Sequence, residues 1–245
     1  KSKVVYPKNG CIYSKYPFIC DYAYRSLLQM PSLGKNPSER AKMVKRGGLT
    51  IQTNIDPKVQ DAAQKAVSDV VGPKDPVLAG TAIVQPGTGL LLAMAQSRPV
   101  MGDKSGQTYY NYMAPASMGG ATGFQAGSIF KAFTTAAALE KGIAINKHYT
   151  ASSPMDFTGE RFTNCKGAFK SGPFRVRNST GHSWNIGLRE AAAWSVNTYF
   201  VQLEQDVGMC EVTKMTQNAG VKLSSGKDIV TAFQHVPSFT LGTAY

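Results

Sequence analysis

The stretch Gly127-Ser-Ile-Phe-Lys-Ala-Phe-Thr-Thr-Ala-Ala-Ala-Leu139 is almost wholly apolar and compatible with a helix, and it carries one serine and one lysine near its start. Ser128 and Lys131 are three residues apart, so on a helix their side chains lie on the same face, one turn apart. Apolar surroundings disfavour the charged ammonium group and lower the pKa of a lysine. The pattern therefore predicts Ser128 as a nucleophile and Lys131 as its base.

The pattern Ser-x-x-Lys is weak by itself, and it occurs three times in the 245 residues. Ser32 and Lys35 lie among prolines and a glycine, and Ser224 and Lys227 enclose a glycine, so both matches predict turns with solvated lysines. Only Ser128 is followed by a long run of helix-compatible residues. The alternative for this serine is that it only caps the helix N-terminus.

A second motif supports the catalytic interpretation. Ser195-Val-Asn197 lies between two apolar helical segments, where a short polar break can direct a hydroxyl and an amide into a cleft. The alternative is a plain turn between two helices, with Ser195 or Asn197 as a cap. Ser183-Trp-Asn185 has the same form, but it follows a polar run and is predicted to be loop.

Together these residues resemble the transpeptidase domain of the class A penicillin-binding proteins. The similarity is close in four blocks that come in the family's order: Gly47–Ala63, Ala82–Met94, Phe124–Phe133 and Leu188–Leu203. The resemblance implies an α+β fold of the penicillin-binding-protein and β-lactamase type, with an antiparallel sheet, flanking helices and a mainly helical lobe. We expect the sheet to be built from the early strands and to pack against the Ser128 helix, and the helical lobe to carry Ser195.

The resemblance also implies acyl transfer on peptidoglycan stem peptides that end in D-Ala-D-Ala. Ser128 would attack the penultimate D-Ala carbonyl, Lys131 would accept its proton, and Ser195 would pass a proton toward the leaving D-Ala. Asn197 would hydrogen-bond the substrate's amide, and the backbone N–H of Ser128 would form half of an oxyanion hole. An amine of a neighbouring strand would complete the cross-link, whereas β-lactam antibiotics would stop at the acyl-enzyme. No cofactor is implied.

One element of the family is missing after Asn197, namely a Lys-Thr/Ser-Gly motif on an edge strand. Lys104-Ser-Gly106 and Lys170-Ser-Gly172 match this motif in residue type, but they precede Ser195 and are predicted to be loop. We therefore expect a truncated chain whose active site is completed by a further C-terminal segment of the same domain. Residues 1–46 are predicted to be an interdomain linker region and residues 47–245 the N-terminal portion of a transpeptidase domain. The family's membrane-anchored glycosyltransferase domain would lie upstream.

Other catalytic designs find little support. No Gly-x-Ser-x-Gly elbow is present, no Cys/His spacing suits zinc, and His148, His182 and His235 lie in polar or turn-like stretches typical of surface residues. Glu160 and Asn164 have the spacing of the water-positioning loop of class A β-lactamases but come before the Ser-x-Asn motif. A D,D-carboxypeptidase, a β-lactam hydrolase and a non-catalytic penicillin-binding sensor or wall-binding module remain as alternatives.

The composition is that of a basic protein, with 27 Lys and Arg against 15 Asp and Glu and a net charge of +12. Such a surface suits anionic wall polymers or lipid headgroups. Nucleic acid is disfavoured as a partner, because no basic helix interleaved with aromatic residues occurs. No signal peptide and no apolar run of about 18 residues is present. We expect an extracytoplasmic protein that is membrane-associated in its full length.

The four cysteines suggest an oxidising compartment. Cys11 and Cys20 enclose a short stretch with little core of its own, which a disulfide would stabilise. This pair, followed by Asp21-Tyr22, is most similar to actinobacterial members of the family. Cys165 and Cys210 are a less certain pair, since only the fold could bring them together. The alternative is four free thiols.

Periodicity and turn residues predict the remaining elements. They predict a helix near 22–29, a strand at 49–54, a helix that begins after Asp56-Pro57, and a hairpin of strands 79–85 and 90–96. A loop is predicted at 98–122, followed by helices to about residue 208. These helices are interrupted by a loop at 152–183 that could line a substrate cleft.

Overall fold

The computed structural model describes residues 10–180 and 184–244 of the chain. The chain divides into two compact units, Lys1–Gly123 and Phe124–Tyr245. The early hairpin belongs to the first unit and the Ser128 helix to the second.

Over residues 10–123 the first unit has three helices and two pairs of short strands. The helices are α1 (Pro17–Leu27), α2 (Pro37–Lys45) and α3 (Pro57–Val70), and the strands are β1 (Gly80–Val84), β2 (Leu91–Gln96), β3 (Asn111–Pro115) and β4 (Gly120–Ala121). Short 3₁₀ turns lie at Cys11–Tyr13, Pro31–Leu33 and Ala116–Met118. The helix predicted near 22–29 begins five residues earlier, because Pro17 occupies the first helical position, where its missing N–H is no loss.

Helix α3 follows its sequence signals closely. The Asp56 carboxylate accepts hydrogen bonds from the N–H groups of Lys58 and Val59, at 2.8 and 3.3 Å. One apolar face of the helix, formed by Val59, Ala63 and Val67, packs on β2. The predicted helix start is thereby confirmed, and the helix covers one face of the hairpin.

The predicted hairpin is confirmed: β1 and β2 pair antiparallel from Gly80↔Gln96 to Val84↔Leu91. The strand predicted at 49–54 is wrong, because these residues join no strand ladder. The second edge of β2 is already occupied. The Gln60 side chain exchanges two hydrogen bonds with the Met94 backbone at 2.9 and 2.7 Å, and Gln64 donates to the Gln96 carbonyl at 2.9 Å.

The stretch 98–122 is less irregular than predicted. It contains β3 and β4, which pair parallel around the 3₁₀ turn Ala116–Met118. The close approach of this turn requires glycine, since a Cβ on Gly120 would lie 1.6 Å from the Ala114 carbonyl oxygen. The loop prediction failed because such a strand pair depends on packing rather than on a local apolar pattern.

The second unit is mainly helical around the motifs. A 3₁₀ turn, Gly127–Phe130, leads into α4 (Lys131–Glu140), and the other helices are α5 (Leu188–Ala193), α6 (Asn197–Val207), α7 (Met209–Asn218) and α8 (Ile229–Ala232). A last 3₁₀ turn is Phe239–Leu241. The strands of the second unit are β5 (His148–Thr150), β6 (Met155–Asp156), β7 (Arg161–Asn164), β8 (Gly167–Lys170), β9 (Arg175–Val176) and β10 (Asn185–Gly187).

The core of this unit gathers large side chains from α4, α6 and the last 3₁₀ turn. Phe130 contacts Phe239 edge-on at 5.1 Å between ring centroids, and Tyr199 and Phe200 of α6 are almost fully buried beside them. Burying a side chain of this size is worth roughly 1.5–3 kcal/mol. The core therefore holds the start of α4 and the start of α6 in fixed positions.

The predicted loop at 152–183 contains two antiparallel strand pairs, β6 with β9 and β7 with β8. Lys170 accordingly ends a strand rather than lying in a loop. Across the described ranges the strands form five separate pairs, four antiparallel and one parallel, instead of one continuous sheet. Among the described strands only β1 and β2 were predicted from local pattern, because the pairing of the others depends on which neighbours the fold supplies.

Both cysteine pairs form disulfides. Cys11 and Cys20 are joined with a Cα–Cα distance of 5.3 Å, and Cys165 and Cys210 with one of 4.8 Å. The second bond ties the turn between β7 and β8 to the start of α7. This pairing crosses 45 positions of sequence and could only be decided by the fold.

Candidate active site

Ser128 lies in the 3₁₀ turn Gly127–Phe130, exposed, directly before α4. In a 3₁₀ turn side chains three residues apart lie one above the other, which places its hydroxyl over Lys131. Gly127 has a φ of +63°, a backbone conformation that glycine adopts without a steric penalty. The turn therefore presents the Ser128 hydroxyl at the surface while Lys131 points inward.

Lys131 is only 4% exposed, and its ammonium group is surrounded by neutral oxygens. Its Nζ lies 3.1 Å from Ser128 Oγ, 2.9 Å from Ser195 Oγ, 2.7 Å from the Ser195 carbonyl oxygen and 2.6 Å from Asn197 Oδ1. Within the described ranges no carboxylate lies within ion-pair distance of this amine. Burial lowers the pKa of Lys131 to about 8.

Ser195 forms the bend between α5 and α6. Its φ is +52°, and it is the one non-glycine residue with a positive φ in the ranges that the structure describes. This conformation costs a non-glycine residue roughly 1–2 kcal/mol. The bend directs both the carbonyl oxygen and the hydroxyl of Ser195 at Lys131. The polar break in the sequence is thus a strained turn that faces the amine.

Asn197 is the first residue of α6 and completes the cluster. Its Oδ1 accepts from Lys131, and its Nδ2 donates to the carbonyl oxygen of Arg177 at 2.8 Å. Because the amide's two ends have different partners, its orientation is determined. An amide nitrogen carries two hydrogens, so one donor remains in addition to the bond to Arg177.

Asn178 is a residue of the site that sequence reasoning missed. Its Oδ1 accepts hydrogen bonds from both the N–H and the hydroxyl of Thr198, at 3.0 and 3.1 Å, and its Nδ2 donates to the Ala151 carbonyl at 3.1 Å. Helix α6 has no side-chain cap of its own at Val196. A buried asparagine from the preceding segment therefore caps the helix that carries Asn197. The sequence held no signal for this contact, because Asn178 lies 20 positions earlier.

The structure brings together all four predicted site residues, Ser128, Lys131, Ser195 and Asn197. The other two Ser-x-x-Lys matches lie in short turns, with Lys35 and Lys227 exposed, as predicted.

The remaining candidates lie elsewhere or play structural parts. His148 and His235 are exposed, as predicted, whereas His182 and Ser183 lie outside the described residues. Asn185 begins β10 and is not loop. Asn164 is buried and donates to the Gln234 carbonyl at 2.7 Å, so its amide holds the fold together rather than a water.

Neither a metal centre nor a membrane span is found in the described parts of the chain. No group of three or more His, Cys, Asp or Glu there could hold a metal ion. None of the helices there is long and apolar enough to cross a membrane.

Comparison with known proteins gives one family. The family model "Penicillin binding protein transpeptidase domain" matches residues 79–232, which include all four residues of the cluster. Penicillin-binding protein 1A of Mycobacterium tuberculosis is 29% identical over 180 residues, covering 72% of this chain and 18% of that protein. The chain thus spans about a fifth of the length of this curated relative.

Two solved structures have the same fold. Penicillin-binding protein PonA1 from Mycobacterium tuberculosis aligns with a TM-score of 0.62 and 22% identity, covering 91% of this chain and 51% of that one. Penicillin-binding protein A from M. tuberculosis, solved as an imipenem acyl-enzyme complex, aligns with a TM-score of 0.50 and 25% identity, covering 69% and 40%. These alignments agree with the predicted α+β fold.

Proposed function

The chain belongs to the penicillin-binding-protein transpeptidase family, and from that premise we propose that it is a serine-type D-Ala-D-Ala transpeptidase that cross-links peptidoglycan. One observation carries the proposal. The buried amine of Lys131 touches the hydroxyls of Ser128 and Ser195, and no carboxylate of the described residues lies close enough to hold it charged. Such an amine can take a proton from one hydroxyl and return it through the other.

In the acylation step, the Ser128 hydroxyl oxygen attacks the carbonyl carbon of the penultimate D-Ala, and its proton passes to neutral Lys131. With a pKa of about 8, about a tenth of the Lys131 side chains are neutral at pH 7. The proton then moves from Nζ to Ser195 Oγ, whose own proton goes to the nitrogen of the departing D-Ala as the C–N bond breaks. Ser128 is left as an ester of the stem peptide.

In the second step, the amine of another stem peptide attacks this ester and loses a proton, which returns by the same route to Ser128. Asn197 has a donor left for the substrate's amide carbonyl, because its Nδ2 carries two hydrogens and one of them is used in the bond to the Arg177 carbonyl. A hydrogen bond from the Ser128 N–H to the developing oxyanion would lower the barrier by about 3 kcal/mol.

The family membership supports a proposal for the longer polypeptide and its location. Residues 1–46 would serve as an interdomain linker region and residues 47–245 as the N-terminal portion of the transpeptidase domain. A glycosyltransferase domain with a membrane anchor would belong to the same polypeptide, as in bifunctional members. The two disulfides support an extracytoplasmic location, where peptidoglycan is assembled.

β-Lactams would acylate Ser128 because they present a strained amide to the same nucleophile. Incubation of the full-length protein with a penicillin should add the mass of one antibiotic, and peptide mapping should place the adduct on Ser128. Ser128→Ala should abolish labelling, whereas the matched controls Ser32→Ala and Ser224→Ala should label normally. An adduct on Ser32, Ser195 or Ser224 would overturn the assignment of the nucleophile.

Turnover separates the proposed function from its alternatives. With a D-Ala-D-Ala stem peptide and an added amine acceptor, a transpeptidase should form the amide product in preference to the hydrolysed peptide. Predominant hydrolysis would make the protein a D,D-carboxypeptidase. Acylation without turnover of any peptide would make it a sensor.

A further inference from the structure

Glu204 is a fully buried carboxyl that the proposed chemistry does not use. It lies on α6 seven residues after Asn197, two turns further on the same helical face, and is 0% exposed. Burial raises the pKa of Glu204 well above its usual range. In the described ranges no basic side chain pairs with it. Burying a carboxyl without a cationic partner costs folding free energy, so the position of Glu204 calls for a structural explanation.

The hydrogen bond that Glu204 makes points to that reason. Its Oε1 accepts from the backbone N–H of Thr240 at 3.1 Å. The Thr240 hydroxyl lies 2.7 Å from the hydroxyl of Thr134, which is one turn beyond Lys131 on α4. Both threonines are fully buried. Glu204 is therefore linked through Thr240 to the helix that carries the catalytic lysine.

Thr240 belongs to residues 239–244, which we call the 239–244 segment, and this segment also bonds to the nucleophile's turn. The N–H of Gly127 donates to the carbonyl oxygen of Gly242 at 3.1 Å, and the N–H of Ala126 donates to that of Ala244 at 3.2 Å. The two backbones are so close that a Cβ on Gly242 would lie 1.9 Å from the Gly127 carbonyl oxygen. The segment thus holds the two residues that precede Ser128.

We propose that Glu204 is a positioning residue for the nucleophile. Its carboxyl fixes the 239–244 segment, which in turn fixes the left-handed conformation of Gly127 and the direction of the Ser128 hydroxyl and N–H. This inference rests on the proposed function in one respect only, namely that the positioned serine is acylated. The geometry of the turn can be measured without any acylation.

The test compares Glu204→Gln with Glu204→Leu in the full-length protein, with Glu140→Leu, an exposed glutamate on α4, as control. The glutamine is neutral and keeps the acceptor for the Thr240 N–H, so its maximal penicillin acylation rate should stay within about twofold of wild type. The leucine has no acceptor and should lower that rate at least tenfold. The concentration of penicillin at half-maximal rate should not change, because the contacts to the antibiotic remain.

Amide hydrogen exchange gives a second readout that does not depend on acylation. In Glu204→Leu the amides of Ala126 and Gly127 should exchange at least tenfold faster, while buried amides of α7 keep their wild-type protection. Gly242→Ala, which breaks the close approach from the other side, should produce the same pair of effects. If Glu204→Leu does not fold, Gly242→Ala still tests whether the 239–244 segment holds the turn before Ser128, and Glu204→Gln tests the acceptor for Thr240.

The results of these experiments separate the positioning role of Glu204 from the proposed function. Wild-type acylation rate and exchange in a folded Glu204→Leu protein, or in Gly242→Ala, would overturn the positioning role. Faster exchange at Gly127 in a protein whose wild type is never acylated would leave the positioning role intact and overturn the proposed function. Loss of acylation in Glu204→Gln equal to that in Glu204→Leu would show that the acceptor for Thr240 is not what matters, and would contradict the inference.

Discussion

The Nζ atom of Lys131 lies 2.6 Å from Oδ1 of Asn197, a residue 66 positions further along the chain. The partner is a neutral amide oxygen and not a carboxylate, so it holds the lysine in place without adding a charge that would raise its pKa. This relationship keeps the amine able to lose its proton.

The acylation rate should rise with pH through a midpoint near 8, because only neutral Lys131 can accept the serine proton. Rapid-mixing acylation rates between pH 6 and 10, with an antibiotic stable in that range, measure this. The same pKa, lowered from 10.5, means that the unfolded state binds more protons between pH 8 and 10.5, so this residue's contribution to stability rises with pH there. A midpoint near 10.5 would contradict the assigned environment of Lys131.

Asn197→Asp should move that midpoint upward by about 1–3 pH units, since a carboxylate beside the amine favours its charged form. At pH 7 acylation should then slow by at least tenfold. The pH–rate profile of the variant is the measurement, with Asn218→Asp at the exposed end of α7 as control. An unchanged midpoint with a lower plateau would show that Asn197 acts on the substrate alone.

Ser195→Gly and Ser195→Ala should separate the contribution of the Ser195 hydroxyl to acylation from the effect of its backbone conformation on stability. Both lack the proton relay and should acylate about 10²- to 10⁴-fold more slowly. Only glycine accepts a φ of +52° without strain, so the glycine variant should be the more stable of the two by about 1 kcal/mol. Acylation kinetics and chemical denaturation check the two parts. Near-normal acylation in either variant would remove Ser195 from the relay.

Asn178→Ala should destabilise the protein by about 1–3 kcal/mol, because it leaves the buried N–H of Thr198 without its acceptor. It should also slow acylation, since the start of α6 carries Asn197. Thermal unfolding and penicillin labelling are the measurements, and Ser179→Ala at the exposed neighbouring position is the control. Equal behaviour of the two variants would show that α6 needs no cap from outside.

Removing the Cys165–Cys210 bond by a double change to alanine should cost more stability than removing Cys11–Cys20. The enclosed separations are 45 and 9 residues, and closing the longer loop in the unfolded chain removes more entropy. The expected losses are about 4 and about 2.6 kcal/mol. Denaturation of the two double variants under non-reducing conditions compares them. A larger loss for the short loop would mean that native packing, not chain entropy, dominates.

The sequence by itself predicted the features that depend on neighbouring residues. Ser128 and Lys131 are one helical turn apart, and the Asp56 carboxylate caps a helix that begins at the next residue. A short turn connects the two strands of the β1–β2 hairpin. Their spacing alone determines the contact. The motif order extended this prediction to Ser195 and Asn197, whose place in the site came from the family resemblance and not from their spacing.

Local pattern failed where a strand's existence depends on its partner. The stretch 49–54 has the alternation of a strand but forms none, because side chains of α3 occupy the edge of β2. The opposite error occurred at 152–183, which was predicted to be a loop but contains two pairs of short strands. Strand pairing is a property of two distant segments, which a single window of sequence does not contain.

Only the tertiary structure decided how the site is held and tuned. The cap that Asn178 gives to α6, the bond between Cys165 and Cys210, and the contact of Glu204 with Thr240 join residues between 20 and 45 positions apart. The lowered pKa of Lys131 depends on its burial in the folded core. Sequence spacing specifies which groups can react within one turn of helix. Packing decides which distant groups surround them, because burial and long-range hydrogen bonds exist only once the chain has closed around its core.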